Sequence, residues 1–163
     1  MADHCLLAIA VLALGLSCAS AGPPRCELAT APVSGRFAQV DVALAGDAAS
    51  LDAKTAARVS GLVRQSARDW LEQRDRAAPE GELALEVSIE AVRVRGSLSA
   101  WLFAWALAPA ALAAQVSVRR GAERVPRCPV RVESALSGYS WRDPDPRLDR
   151  LARRLGRRVA EGL

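Results

Sequence analysis

Histidine, lysine and aromatic side chains are nearly missing from this chain of 163 residues. It has one histidine, His4, and one lysine, Lys54, and aromatics make up 4% of it. His4 lies in an apolar leader, so the mature chain is expected to hold no histidine. That excludes Ser-His-Asp and Cys-His catalysis, histidine metal sites and histidine pH sensing in one step. The phosphate loop GxxxxGK[ST] and the dinucleotide fingerprint GxGxxG are absent. There is no CxxC pair for redox work. The expectation is a protein that is not an enzyme, with no catalytic residues, no metal and no cofactor.

The leader reads LLAIAVLALGL over residues 6–16. Its length is that of a signal-peptide core and falls short of the roughly 20 residues a span needs. The following LGLSC, residues 14–18, resembles a bacterial lipobox, in which Cys18 becomes the lipidated first residue. Gly15 stands where leucine is commonest. ASA at residues 19–21 offers an ordinary cleavage site as the alternative. The chain thus divides into a signal peptide (1–17), a lipid-anchored tether (18–35) and one domain (36–163). Ala19, by resemblance to the Gram-negative sorting rule, favours the periplasmic side of the outer membrane. Cleavage after Ala21 would leave a secreted or soluble periplasmic protein instead.

Removing Asp3 with the leader raises the formal net charge from +4 to +5, and apart from Lys54 all of the basic charge is arginine. In an exported protein this balance favours phospholipid head groups or an acidic envelope partner over nucleic acid. Cys26 and Cys128 survive either cleavage and are expected to pair in an oxidising compartment. Such a bridge closes a loop of about 100 residues, worth about 4–5 kcal/mol on the chain-entropy view.

Periodicity then lays out the domain. Val40, Val42 and Leu44 alternate with Asp41 and Ala43 as a strand does. Asp47 or Ser50 is available to cap a helix over residues 51–76, whose apolar face is Val59, Leu62, Val63, Ala67, Trp70 and Leu71. Pro79 and Gly81 are its stop signals. Leu83, Leu85, Val87, Ile89 and Ala91 form the clearest strand, with a phase slip near Ala91–Val92 that suggests a bulge. Residues 113–134 read as a hairpin turning near Arg120–Glu123, where Gly121 can take positive φ. Pro126 and Pro129 place its second strand at an edge. Asp145 and Pro146 read as cap and first residue of a last helix. Leu148, Leu151, Ala152, Leu155 and Val159 form one face of it, and Arg147, Arg150, Arg153, Arg154, Arg157 and Arg158 the other. The order β-α-β-β-β-α predicts an α+β fold, a mixed or antiparallel sheet with two helices on one face.

Three groupings invite a functional reading. Glu82, Glu86 and Glu90 share one strand face, but at strand rise successive members are about 13 Å apart. They are expected to pair with Arg127 and Arg131 across the sheet. Ser134, Ser137, Tyr139 and Ser140, near Trp141, Arg142 and Asp143, are expected to form a turn that seats the last helix. The last helix's arginines, Arg147, Arg150, Arg154 and Arg158 above all, could dock on anionic lipid or an acidic partner.

The longest uncharged run is 96–118, and it contains WLFAWALAPAALAA. A membrane span there would split the sheet between two compartments, so the run is expected inside the domain, as an apolar excursion over residues 97–112. Two placements stay open: packed over the sheet, or exposed toward a bilayer or sister subunit. Trp101, Phe103 and Trp105 would be the contact residues.

From residue 82 onward the chain resembles a family of small bacterial lipoproteins of unknown function. The likeness rests on VRVRG, the apolar small-residue segment, the VSVRRGAERV hairpin, the turn SALSGYSW and the last helix LDRLARRLGRRVAEGL. It implies an α+β fold similar to the periplasmic domain of the curli secretion lipoprotein and the amino-terminal domain of TolB, without catalytic residues. The expected function is a non-enzymatic interaction or assembly module of the envelope. A periplasmic carrier of lipid or a small apolar ligand is the alternative.

Overall fold

The alternating run around Leu85 forms the middle of the sheet. In the structure, a computed structural model that describes residues 33–93, 110–125, 128–134 and 144–163, this run is strand β2, Leu83–Arg93. On one side it pairs in parallel with β1, Phe37–Leu44. On the other it pairs antiparallel with β3, Ala111–Arg120. The far side of β3 carries two short antiparallel strands, β4 (Glu123–Arg124) and β5 (Cys128–Glu133). Among the described residues the sheet is therefore mixed and five-stranded. Two helices within those residues, α1 (Ala53–Gln73) and α2 (Pro144–Glu161), complete an α+β fold. The described element order departs from the expected one by β4 and by a 3-10 turn ahead of α1.

Helix α1 buries Val59, Val63, Ala67 and Leu71, one residue per turn. Its cap is Asp52, whose side chain accepts from the Thr55 backbone N–H at 3.0 Å. Asp47 and Ser50, the expected caps, are instead consumed by a 3-10 turn over Gly46–Ser50, in which Ser50 Oγ donates to the Asp47 carbonyl. Helix α1 also stops before Pro79 and Gly81. Asp75 takes a φ of 54°, and the N–H groups of Asp75 and Arg76 bond back to Glu72 and Leu71. That arrangement closes a helix on a left-handed residue, usually glycine.

The bulge in β2 falls between Ile89 and Ala91, one residue earlier than the phase slip suggested. The β3–β4 hairpin turns on Gly121 and Ala122, and only Gly121 has positive φ, the pattern of a type II′ turn. Pro129 lies on β5, which pairs with β3 alone, as an edge strand allows.

Both helices cover the same side of the sheet. Leu85, Val87, Ile89, Leu112, Val116 and Val118 point toward them and join Val63, Leu71, Leu151 and Leu155 in one core. Each such side chain contributes about 1.5–3 kcal/mol on burial. The helices approach closely at Gly156, where an added Cβ would sit 2.4 Å from the Val63 carbonyl oxygen. Ala152, Gly156 and Ala160 are all buried and four residues apart. This column of small residues lets the backbones approach. Ser66 Oγ donates to the Arg153 carbonyl across the same seam, and Arg58 pairs with Asp149 at 2.7 Å. Helix α2 begins at Pro144 rather than at Pro146, since proline's fixed φ and missing N–H suit a first helical residue.

Candidate functional site

The outward half of α2 is the most lopsided surface among the described residues. Its inward half, Leu148, Leu151, Ala152, Leu155 and Val159, is in the core. That fixes the helix's rotation and turns Arg150, Arg153, Arg154, Arg157 and Arg158 to solvent, all exposed. They follow one another at i, i+3, i+4, i+7 and i+8, a band about 12 Å long at helical rise. Arg147 is half-buried beside them. Arg154 donates to the Glu133 carbonyl at 3.2 Å, and Arg157 pairs with Glu161 at 2.7 Å. Among the described residues, no ion pair or hydrogen bond engages the side chains of Arg150, Arg153 or Arg158. Of the expected contact arginines, the structure thus sets Arg150, Arg154 and Arg158 on one face, with Arg147 at its margin.

The sheet's other face carries the second grouping. Glu86 points away from the helices and is held by three donors. Arg119 Nε lies at 3.0 Å, Arg124 at 2.9 Å and Ser117 Oγ at 3.1 Å. Burial pushes the Glu86 carboxyl up, but the bonds from Arg119, Ser117 and Arg124 outweigh it and hold the group below its ordinary value. Glu82 lies 3.7 Å from Arg120. These partners correct the expected ones. Arg131 pairs with Glu133 on its own strand at 2.7 Å, because β3 separates β5 from β2. Arg127 lies outside the described residues. Glu90 is exposed next to the bulge. The arrangement pins the β3–β4 hairpin to β2. Among the described residues, no three histidine, cysteine or carboxylate groups stand together as a metal site would require.

Several expected residues fall outside the described part: Cys18, Cys26, Trp101, Phe103, Trp105 and the turn from Ser137 to Asp143. Of the expected excursion over 97–112, only residues 110–112 lie within the described part. Ala111 and Leu112 belong to β3, and Leu112 is fully buried. Ala111 to Val118 are strand, so the uncharged run 96–118 is not one helix crossing a bilayer. Among the described residues no helix is long and apolar enough to cross a membrane. Cys128 is buried on the helix side of β5, opposite Val116. The outward arginine row of α2 was readable from helical spacing. The partners of Glu86 were not, because they depend on strand order.

The fold and its surface define an α+β domain, two helices on a mixed sheet, with a basic helix turned outward. No protein-family profile matches the chain, and no curated protein matches it. Among solved structures it is similar to PelC from Paraburkholderia phytofirmans. One PelC dodecamer, a form with a single leucine-to-methionine substitution, is 14% identical, with a TM-score of 0.50 over 82% of this chain and 92% of PelC. A second PelC dodecamer gives the same identity and TM-score over 83% and 94%. At this identity the likeness is one of fold.

Proposed function

We propose that this chain is an exported, lipid-anchored module of a bacterial envelope that works by contact and not by catalysis. Cys18 carries the anchor at the periplasmic side of the outer membrane. Cys26 bridges Cys128 and staples the end of the tether to the domain. Two contact surfaces are proposed: the arginine face of α2, and separately the apolar segment that carries Trp101, Phe103 and Trp105. The observation that carries the reading is that Arg150, Arg153 and Arg158 stand exposed with no acidic partner among the described residues, on a helix whose other half is core. A surface kept only for solubility mixes both signs of charge. The similar PelC structures are dodecamers, and self-association of copies is part of this proposal.

Fractionation of cells that express the full chain tests it. The wild type is expected in the outer-membrane fraction, and Cys18→Ser in the soluble periplasm. If the variant still fractionates with the membrane, the anchor at Cys18 is wrong. Light scattering on a chain that begins at Gly22 reads self-association. A strictly monomeric mass at all concentrations would remove assembly from the proposal.

A further inference from the structure

We propose that the arginine face of α2 docks on the phosphates of an anionic phospholipid bilayer. This deepens the reading above and rests on it only for bringing the domain to a membrane.

The first argument is rotational. An interfacial helix normally buries its apolar half in lipid. The apolar half of α2 is already in the protein core, so the helix cannot insert and can meet a bilayer only through its arginines. The second is chemical. The side chains of Arg150, Arg153 and Arg158 have no ion-pair or hydrogen-bond partner among the described residues. A free guanidinium fork fits two phosphate oxygens at once. The third concerns composition. The exposed residues of α2 from Pro146 onward are that proline, five arginines and Glu161. A protein partner draws most of its binding energy from an anchor desolvated in a pocket, and these exposed residues of α2 include no aromatic anchor. A sheet of anionic head groups requires only cations held near its plane.

The fourth argument is where the chain enters. Ser66 meets Arg153 and Arg58 meets Asp149, so α1 and α2 run in the same direction. Just past the end of α1, the Arg76 guanidinium donates to the Val33 carbonyl. The last turn of α2 therefore lies toward the pole where the tether joins. Cys18 precedes Val33 by 15 positions in the sequence, so a lipid anchor there would be joined to the domain at this pole. Anchoring would convert the arginine contact into an intramolecular one.

Vesicle co-sedimentation separates this from the anchor. Every residue of the described core lies at Phe37 or later, so a chain that begins at Gly22 keeps the core whole and carries no lipid. It is expected to bind vesicles containing phosphatidylglycerol at low salt, to leave them at high salt, and to ignore pure phosphatidylcholine. The triple variant Arg150→Gln, Arg153→Gln, Arg158→Gln is expected to lose on the order of a hundredfold in partitioning, from about 1 kcal/mol per arginine. The corresponding triple lysine variant keeps most of the binding. Lys54→Gln, Arg74→Gln, Arg93→Gln removes the same charge elsewhere and costs far less. Thermal melts confirm that each variant is folded. Failure to bind anionic vesicles overturns the proposal, as does equal binding to neutral ones. So does an equal loss in the two glutamine triples, which would make the effect one of net charge. Salt-sensitive binding to polyglutamate without vesicle binding would reassign the face to an acidic protein. None of these outcomes bears on whether Cys18 is lipidated.

Discussion

Helices α1 and α2 lie side by side on one sheet and differ in what they do with charge. Each buries a regular apolar stripe, Val59, Val63, Ala67 and Leu71 on one and Leu148, Leu151, Leu155 and Val159 on the other. On α1 every arginine is tied. Arg58 pairs with Asp149, Arg64 donates to the Val40 carbonyl, and Arg68 pairs with Glu72. On α2 three arginines are untied among the described residues. The inward halves answer to one demand, close packing, and so look alike. The outward halves are free to differ, and there the two helices part. Structure is held by the shared feature, and the proposed contact face lies in the contrast.

The two helix glycines break the comparison most sharply. Gly156 on α2 has the Val63 carbonyl at 2.4 Å from where a Cβ would stand, and the obstacle is backbone that cannot rotate away. Gly156→Ala is expected to destabilise the fold by about 1–3 kcal/mol, as overpacking does, read from urea unfolding. An unchanged midpoint would mean that the helices do not meet there.

The most thoroughly tied charge comes next. Glu86→Ala strands Arg119 and Arg124, both part-exposed, and should cost about 1–2 kcal/mol. The sign of its pH dependence follows from the lowered carboxyl. The folded chain favours the charged form, so its contribution is complete above the ordinary value of 4.5 and is lost as the pH falls through the depressed folded value. Asp52, lowered mainly by its side-chain bond to Thr55, acts in the same direction from 3.8 downward. An unfolding series at decreasing pH should show a shallower acid loss in Glu86→Gln than in the wild type. Equal slopes would remove Glu86 from the acid response.

Gly61 on α1 inverts the case of Gly156. Nothing lies within 4 Å of a Cβ built there. Gly61→Ala should therefore stabilise the chain by about 0.5–1 kcal/mol, from helix propensity alone. A loss instead would mean that something covers that face of α1.

These pairs also show why parts of the fold were legible and others not. Burial imposes a period, so the stripes of α1, α2 and β2 stand out in the sequence. Pro129 and Gly121 announce an edge and a turn because each restricts the backbone by itself. Asp47, Ser50 and Asp52 look alike as caps, and only the 3-10 turn around Ala48, which is fully buried, decides among them. The end of α1 hid because Asp75, not glycine, takes the left-handed position. Gly156 left a faint signal, small residues at 152, 156 and 160. What they face could not be read without knowing that the two helices are neighbours. The arginine face was legible as a pattern. That Arg150, Arg153 and Arg158 have no partner among the described residues emerged only once the carboxylates had been placed.

The smallest expected effect bears most directly on the untied arginines. Arg150–Arg154, Arg154–Arg158 and Arg153–Arg157 are like-charge pairs four residues apart, each destabilising a helix by about 0.2–0.5 kcal/mol. The favourable term between cations and the helix C-terminus acts within the last turn, so it helps Arg158 and leaves Arg150 and Arg153 without compensation. The double variant Arg150→Gln, Arg153→Gln is therefore expected to raise stability at low salt by up to about 0.5 kcal/mol, with the gain vanishing at high salt. A loss of stability in that variant would show that the arginines serve the fold and would undercut the docking face. A gain would show that they are kept against the interest of the fold. Residues that cost stability where they stand are ordinarily retained for what they contact.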